Sequence, residues 1–154
     1  MSINYVKLII KNKLVLISKV DEGEVLQYSW LLDASKNYAG RWFYSPKRWV
    51  SLARFIDNTP KELELDHINR NSLDNRRENL RRCTRKQNMQ NRGPHRGKYK
   101  GVSFEARRNK WRATIRLDGH CKHLGYFDCP KKAALKYNEV AKYNWGEFAW
   151  LNKI

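Results

Sequence analysis

Residues 66–88, DHINRNSLDNRRENLRRCTRKQN, decide how the rest of this chain is read. They set a carboxylate beside an imidazole at Asp66 and His67, then place amides at Asn79 and Asn88, in a stretch dense with arginine. A carboxylate and an amide oxygen can hold a hard cation such as Mg²⁺ and leave positions for phosphate and water. An unligated histidine beside them can take the proton from an attacking water. The arginines would draw a polyanion to the centre. The set points to hydrolysis of a phosphodiester with one divalent ion, Mg²⁺ or Mn²⁺.

The local pattern around these residues is strand, long loop, strand, helix. LELDHI (63–68) and LRRCT (80–84) read as short strands, and NRNSLDNRREN between them is polar and has no periodicity. Thr84 and Gln87 fit a capping box, so a helix starts after Thr84 and carries Asn88 in its first or second turn. Adjacent residues of a regular strand point to opposite faces. Asp66 and His67 can therefore serve one site only if the strand ends or bends there, and the turn formers Asn69, Asn71, Asp74 and Asn75 favour that.

The 154 residues hold 32 Lys and Arg against 15 Asp and Glu, a net charge of +17. So large an excess implies a polyanionic partner, with nucleic acid ahead of a membrane surface or an acidic protein. Six Trp, eight Tyr and five Phe exclude a disordered basic tail. Cys83, Cys121 and Cys129 are odd in number and lack CxxC spacing, which disfavours a disulfide framework or a structural zinc site. No apolar run approaches the ~18–20 residues of a membrane span. The opening MSINYVKLIIKNKLVLISK is broken by Lys and Asn and makes a poor signal peptide. An intracellular, cytoplasmic protein with no membrane contact is expected, in the host cytoplasm if phage-encoded.

Residues 1–56 read as strand-rich: YVKLIIKNKLVLIS, VLQYSWLLDAS and NYAGRWFYS are strand candidates. RWVSLARFI reads as a short helix or a strand leading into one. RGPHRGKYK has Gly, Pro and basic residues and no apolar face, as an interdomain linker would. Beyond it, YKGVSFEARR, KWRATIRL and KHLGYFD read as three strands turning near Arg108-Asn109 and Asp118-Gly119. Pro130 then opens a helix with Ala134, Tyr137, Ala141 and Asn144 near one face.

The ordered set Asp66-His67, Asn79 and Asn88, in DHI, ENLR and the helix, resembles the HNH nuclease family, more closely its phage and intron homing branch. WLLDASKNYAGRW and SLARFI also look like that branch, and the resemblance covers residues 15–92. It implies a ββα-metal unit in which His67 is the general base and Asp66 and Asn88 bind metal and scissile phosphate. It further implies that Asn79 ties the loop so that His67 stays oriented, and that Arg85 approaches the phosphate. Taken singly, Asp66 could be a strand-end surface acid and Asn88 a solvated helix residue; the joint pattern favours the nuclease. Ala53 stands where the family often has a histidine.

Residues 98–152 resemble the plant ethylene-response-factor (Apetala-type) DNA-binding domain, through YKGV, KWRATIR, HLGYFD, AALKYN and the terminal LN. That resemblance implies a three-stranded sheet in the major groove with a helix packed behind it. By position Lys100, Arg116 and His123 would contact DNA, with Lys110, Arg112 and Lys122 as charged neighbours, some of which must point away. Trp111 is expected in the sheet–helix core. Ser103 and Glu105 replace arginines, His123 replaces a tryptophan, and Cys129 stands at the usual capping threonine, so the plant domain's sequence preference does not transfer.

The fold class expected is α+β: a nuclease unit, residues 1–91, a basic linker, 92–98, and a DNA-binding unit, 99–154. The expected partner is double-stranded DNA, with Arg76, Arg77, Arg81 and Arg82 as further phosphate contacts. The expected activity is metal-dependent endonucleolytic cleavage of the homing type, leaving 5′-phosphate and 3′-hydroxyl ends. A monomer is expected, which would nick, whereas paired cuts would need a dimer. The rivals are a catalytically inactive DNA-binding regulator and a basic RNA-associated protein.

Overall fold

The computed structural model describes residues 4–35 and 37–154. The chain divides into two compact units, Met1–Asn88 and Met89–Ile154. Among the described residues, no helix is long and apolar enough to cross a membrane.

The first unit opens with a hairpin, β1 (Tyr5–Ile10) and β2 (Lys13–Ser18). Lys11 and Asn12 both take positive φ, 45° and 63°, which matches the twist a two-residue hairpin turn requires. A single 3-10 turn leads into α1 (Glu22–Val25), followed by β3 (Leu31–Leu32), β4 (Ala39–Tyr44), β5 (Lys47–Ser51) and α2 (Leu52–Asp57). The strand expected over VLQYSWLLDAS shrinks to two residues. The Asp33 carboxylate accepts the backbone N–H groups of Asn37 and Tyr38, at 2.9 and 3.0 Å, and so turns the chain. RWVSLARFI is the strand leading into a helix, because Ser51 Oγ accepts from Arg54 N and caps α2.

The motif region forms β6 (Glu64–His67), β7 (Asp74–Asn75), β8 (Leu80–Cys83) and α3 (Arg85–Gln90). β6 and β8 pair antiparallel with Asp66 opposite Arg81 and His67 opposite Leu80. The loop between them is not structureless. Asp74 and Asn75 pair in parallel with Leu16 and Ile17, which makes a sheet in the order β1-β2-β7. Val15, Ile17, Val25, Leu52 and Ile56 form the buried core, and Leu73 and Leu80 pack against it. The motif thus sits on the N-terminal core. Thr84 N donates to Gln87 Oε1 at 2.8 Å and Gln87 N to Thr84 Oγ1 at 3.3 Å, the reciprocal capping box that starts α3.

The second unit holds β9 (Val102–Glu105), β10 (Lys110–Leu117), β11 (His120–Phe127) and α4 (Pro130–Trp145). The sheet is antiparallel in the order β11-β10-β9, and α4 covers it with Ala133, Ala134, Tyr137 and Ala141 buried. Asn144, expected on that face, is exposed. Gly101 has φ +75°, and a Cβ there would lie 2.2 Å from the Tyr137 ring, so only glycine fits. Cys129 makes no side-chain cap, and Pro130 opens α4 instead.

The stretch expected as a free linker begins tied down within this unit. Lys100 Nζ donates to the carbonyls of Gln90 (2.9 Å) and Arg92 (2.7 Å), and Trp150 N donates to Gln90 O. Gly93 lies so close to the Trp150 ring that a Cβ would meet it at 2.9 Å.

Arg77 joins distant parts of the first unit: it grips the buried Asp21 through Nε and Nη2, at 2.7–3.1 Å, and reaches Ile56 O. Arg77→Ala strands that buried carboxylate and should cost on the order of 1–3 kcal/mol. Arg82→Ala breaks an outlying pair with Asp57 and should cost at most about 1 kcal/mol. Urea denaturation of the two variants checks the contrast; equal losses would contradict it.

Candidate active site

β6 ends at His67, and the chain turns there: Arg70 N donates to His67 O at 2.8 Å and Arg70 takes φ 65°. Four side chains lock the loop that follows. Asn79 Oδ1 accepts from Asn69 N at 2.9 Å while its Nδ2 donates to Asp74 O at 2.7 Å. Asp74 accepts two bonds from Arg76, each 2.8 Å, and one from Asn69 Nδ2, so these groups hold its carboxyl below the ordinary aspartate range, Arg76 first. Asn79 is buried and uses both ends of its amide on the loop.

His67 is buried, with Nε2 3.2 Å from Asn75 Oδ1 and the Tyr38 ring beside it at a centroid distance of 6.4 Å. An Asn75 carbonyl oxygen facing Nε2 suits the tautomer with the proton on Nε2 and the lone pair on Nδ1. Burial lowers the imidazole pKa from its ordinary value, and the Asn75 bond and the Asp66 and Asp74 charges only partly restore it. The ring is therefore neutral at pH 7, as a proton acceptor must be.

Asn75 was not among the residues expected from sequence. It is 1% exposed, and its backbone is fixed by pairing with Ile17. No sequence signal separates it from its polar neighbours, because its burial comes from the parallel pairing with β2.

A second group of oxygens lies on the other side of β6. Glu64 and Asp66 are two residues apart, on one face of that strand. Asn88 Nδ2 donates to Glu64 Oε2 at 2.6 Å, which brings the α3 amide to the same face. The buried Cys83 thiol is raised by burial and then by the Asp66 and Glu64 charges. Carboxylate and amide oxygens are donors of the kind a hard cation such as Mg²⁺ accepts. No group of three or more His, Cys, Asp and Glu able to hold a metal occurs among the described residues, so such an ion would depend on the amide oxygen and on water or phosphate. Glu64 was also missed from sequence, although strand periodicity from Asp66 reaches it.

The motif arginines are engaged within the fold. Arg76 binds Asp74 and Glu78, Arg77 binds Asp21, Arg81 binds Asp66 at 2.7 Å and Arg82 binds Asp57 at 2.8 Å. Phosphate would have to share or displace these carboxylates. Arg85 is exposed on the first turn of α3.

In the second unit the register sorts the basic residues. Ala113 and Ile115 are buried towards α4, so Lys110, Arg112, Thr114 and Arg116 project from the other face of β10. His123 is opposite Thr114 and Tyr126 opposite Arg112, and both share that outer face. Lys122 is opposite Ile115 and falls on the helix side. Arg108 covers the Tyr126 ring at 4.9 Å. Lys110 pairs with Asp128, and Arg112 lies 3.6 Å from Glu105. Trp111 shares the parity of Ala113 and packs on Phe104, with ring centroids 5.3 Å apart. Lys100 has its ammonium on two carbonyls, a structural use that competes with the DNA contact expected of it.

Residues 58–90 match the family model described as HNH endonuclease. The chain is 35% identical over 111 residues to an uncharacterized HNH endonuclease of Acanthamoeba polyphaga mimivirus. That alignment takes in 68% of this chain and 58% of the viral protein, so the chain spans well under two thirds of that relative. No solved structure matches the chain. Asp66, His67, Asn79 and Asn88 all fall inside the stretch that matches the HNH endonuclease model.

Proposed function

We propose that this protein is a metal-dependent DNA endonuclease of the homing type, in which a ββα-metal centre built on β6, β8 and α3 hydrolyses one phosphodiester per encounter. The observation that carries the reading is a buried His67, its pKa lowered by burial, held by Asn75 at the end of β6, with the oxygens of Glu64, Asp66 and Asn88 on the other side of that strand. His67 Nδ1 takes a proton from water, and the oxygen so freed attacks phosphorus. The bond from phosphorus to the 3′-oxygen breaks and that oxygen takes a proton from solvent, leaving a 5′-phosphate and a 3′-hydroxyl. Asp66 and Asn88 would hold Mg²⁺ or Mn²⁺, which supplies positive charge at the phosphate and the departing oxygen when bound. Asn79 keeps the loop closed so that His67 does not swing away, and Arg85, exposed on the first turn of α3, would approach the phosphate.

The second unit supplies affinity and site selection as an Apetala-type domain, with Arg116, His123 and Arg112 on the outer sheet face towards duplex DNA. A monomer nicks. An intracellular setting, in a host cell if the gene is viral, suits a DNA substrate and free cysteines. The alternative, an inactive DNA-binding regulator, would keep binding and lose cleavage.

A supercoiled plasmid carrying DNA from the gene's own neighbourhood tests the reading. With Mg²⁺ or Mn²⁺ the protein should nick it, EDTA should abolish the product, and His67→Ala should slow cleavage by about 10²–10⁴-fold. Intact binding without cleavage under either ion would favour the regulator.

The lowered pKa of His67 sets two pH effects of known sign. The base stays unprotonated below the ordinary histidine value, so cleavage should persist through pH 6.5 and fall only at lower pH. The folded state binds fewer protons at His67 than the unfolded chain, so stability is complete above about pH 6.5 and is lost as pH falls towards the lowered value. Urea midpoints at about pH 7.5 and pH 5 should show this loss in the wild type and a smaller one in His67→Gln; equal losses would remove His67 as the cause.

A further inference from the structure

The hairpin of β4 and β5 carries a row of aromatic side chains that the proposed chemistry does not use. Trp42 and Trp49 face each other across the strands, edge to face with centroids 5.7 Å apart. Gly40 makes room for this, since a Cβ there would lie 2.6 Å from the Trp49 ring. Trp49 thereby buttresses Trp42, which is 43% exposed, and Tyr44, two residues on and on the same face, is 80% exposed. The Trp42–Trp49 pair steadies the hairpin, but Tyr44 and the exposed part of Trp42 bury little within the unit itself.

Charge and position identify the occupant. Residues 34–56 contain five Lys or Arg and no Asp or Glu. Lys47 stands opposite Tyr44, and Arg48 follows it at the tip. A second copy of so basic a chain is a poor match for that surface, and a phosphate backbone is a good one. β4 also starts next to the site: Tyr38 lies beside His67, and Ala39 is the first residue of the strand. Six residues at about 3.3 Å each carry the row about 20 Å from there, within reach of nucleic acid that flanks a phosphate at the proposed site.

Spacing identifies its form. Alternate strand residues stand about 6.6 Å apart, roughly twice the 3.4 Å rise between stacked bases. Two rings so placed meet successive bases only where the strand is opened. We propose that Trp42 and Tyr44 stack on unpaired bases of the DNA flanking the cut, so that the β4–β5 hairpin prefers an opened or single strand to closed duplex. This rests on the endonuclease reading for its partner and adds a contact outside the catalytic set.

The test is binding by the full chain in EDTA to labelled oligonucleotides of one sequence, as single strand, closed duplex and duplex with a short central bubble. The wild type should bind the bubble about tenfold or more tighter than the duplex, with quenching of tryptophan fluorescence. Tyr44→Ala, which removes no packing, should weaken bubble binding about fivefold or more and leave the duplex within about twofold; Tyr44→Phe should restore it. Trp42→Ala should abolish the quenching. Equal affinity of Tyr44→Ala and wild type for the bubble would overturn the proposal, as would equal losses on bubble and duplex. Concentration-dependent self-association that Tyr44→Ala removes would instead assign the face to a second copy. Without metal no cleavage intervenes, so a failure here leaves the His67 chemistry standing, and a failure to cleave plasmid leaves this binding result standing.

Discussion

Two residues of a polar loop, Asp74 and Asn75, pair in parallel with Leu16 and Ile17 of the N-terminal hairpin, and the geometry around His67 depends on that pairing. Leu16 N also donates to Leu73 O at 2.8 Å, which fastens the loop one residue earlier. The hairpin behind it is rigid because Val15 and Ile17 are wholly buried. Asn75 thus acts from a fixed backbone, and its contact with His67 Nε2 favours a proton on that nitrogen. Asn79 and Arg76 close the loop from its other end. A histidine on a free loop would be solvated, would keep its ordinary pKa and would sample many orientations.

The same economy governs charge. In a chain of net charge +17, the four motif arginines serve as clamps on Asp74, Asp21, Asp66 and Asp57. Arg81 on Asp66 is the pair of most consequence, because its guanidinium holds the carboxylate that a cation would take. Both partners are largely buried, so the pair fixes the position of the carboxylate on its strand.

Much of this was legible in the sequence. The strand, loop, strand and helix order, the Thr84–Gln87 cap and the three-stranded sheet under a helix follow from short-range patterns, and these are what the structure contains. Partners brought together by tertiary pairing were not legible. Nothing local marks Asn75 as the histidine's partner or Asp21 as Arg77's, because 58 residues separate Ile17 from Asn75 along the chain. The strand expected over VLQYSWLLDAS yielded to a side-chain turn at Asp33, where a carboxylate competed successfully for backbone N–H groups. The resemblance implied a DNA contact for Lys100; its ammonium lies on the Gln90 and Arg92 carbonyls, partners that tertiary packing brings to it.

The most direct measurement is the protonation state of His67, read from imidazole ¹⁵N shifts at pH 7. The chain has only four histidines, and His67→Ala assigns the signal by difference. The account predicts a neutral ring with its proton on Nε2 and a bare Nδ1. A ring protonated at both nitrogens, or one carrying its proton on Nδ1, would contradict it, because such a ring has no lone pair at the position from which water must be deprotonated.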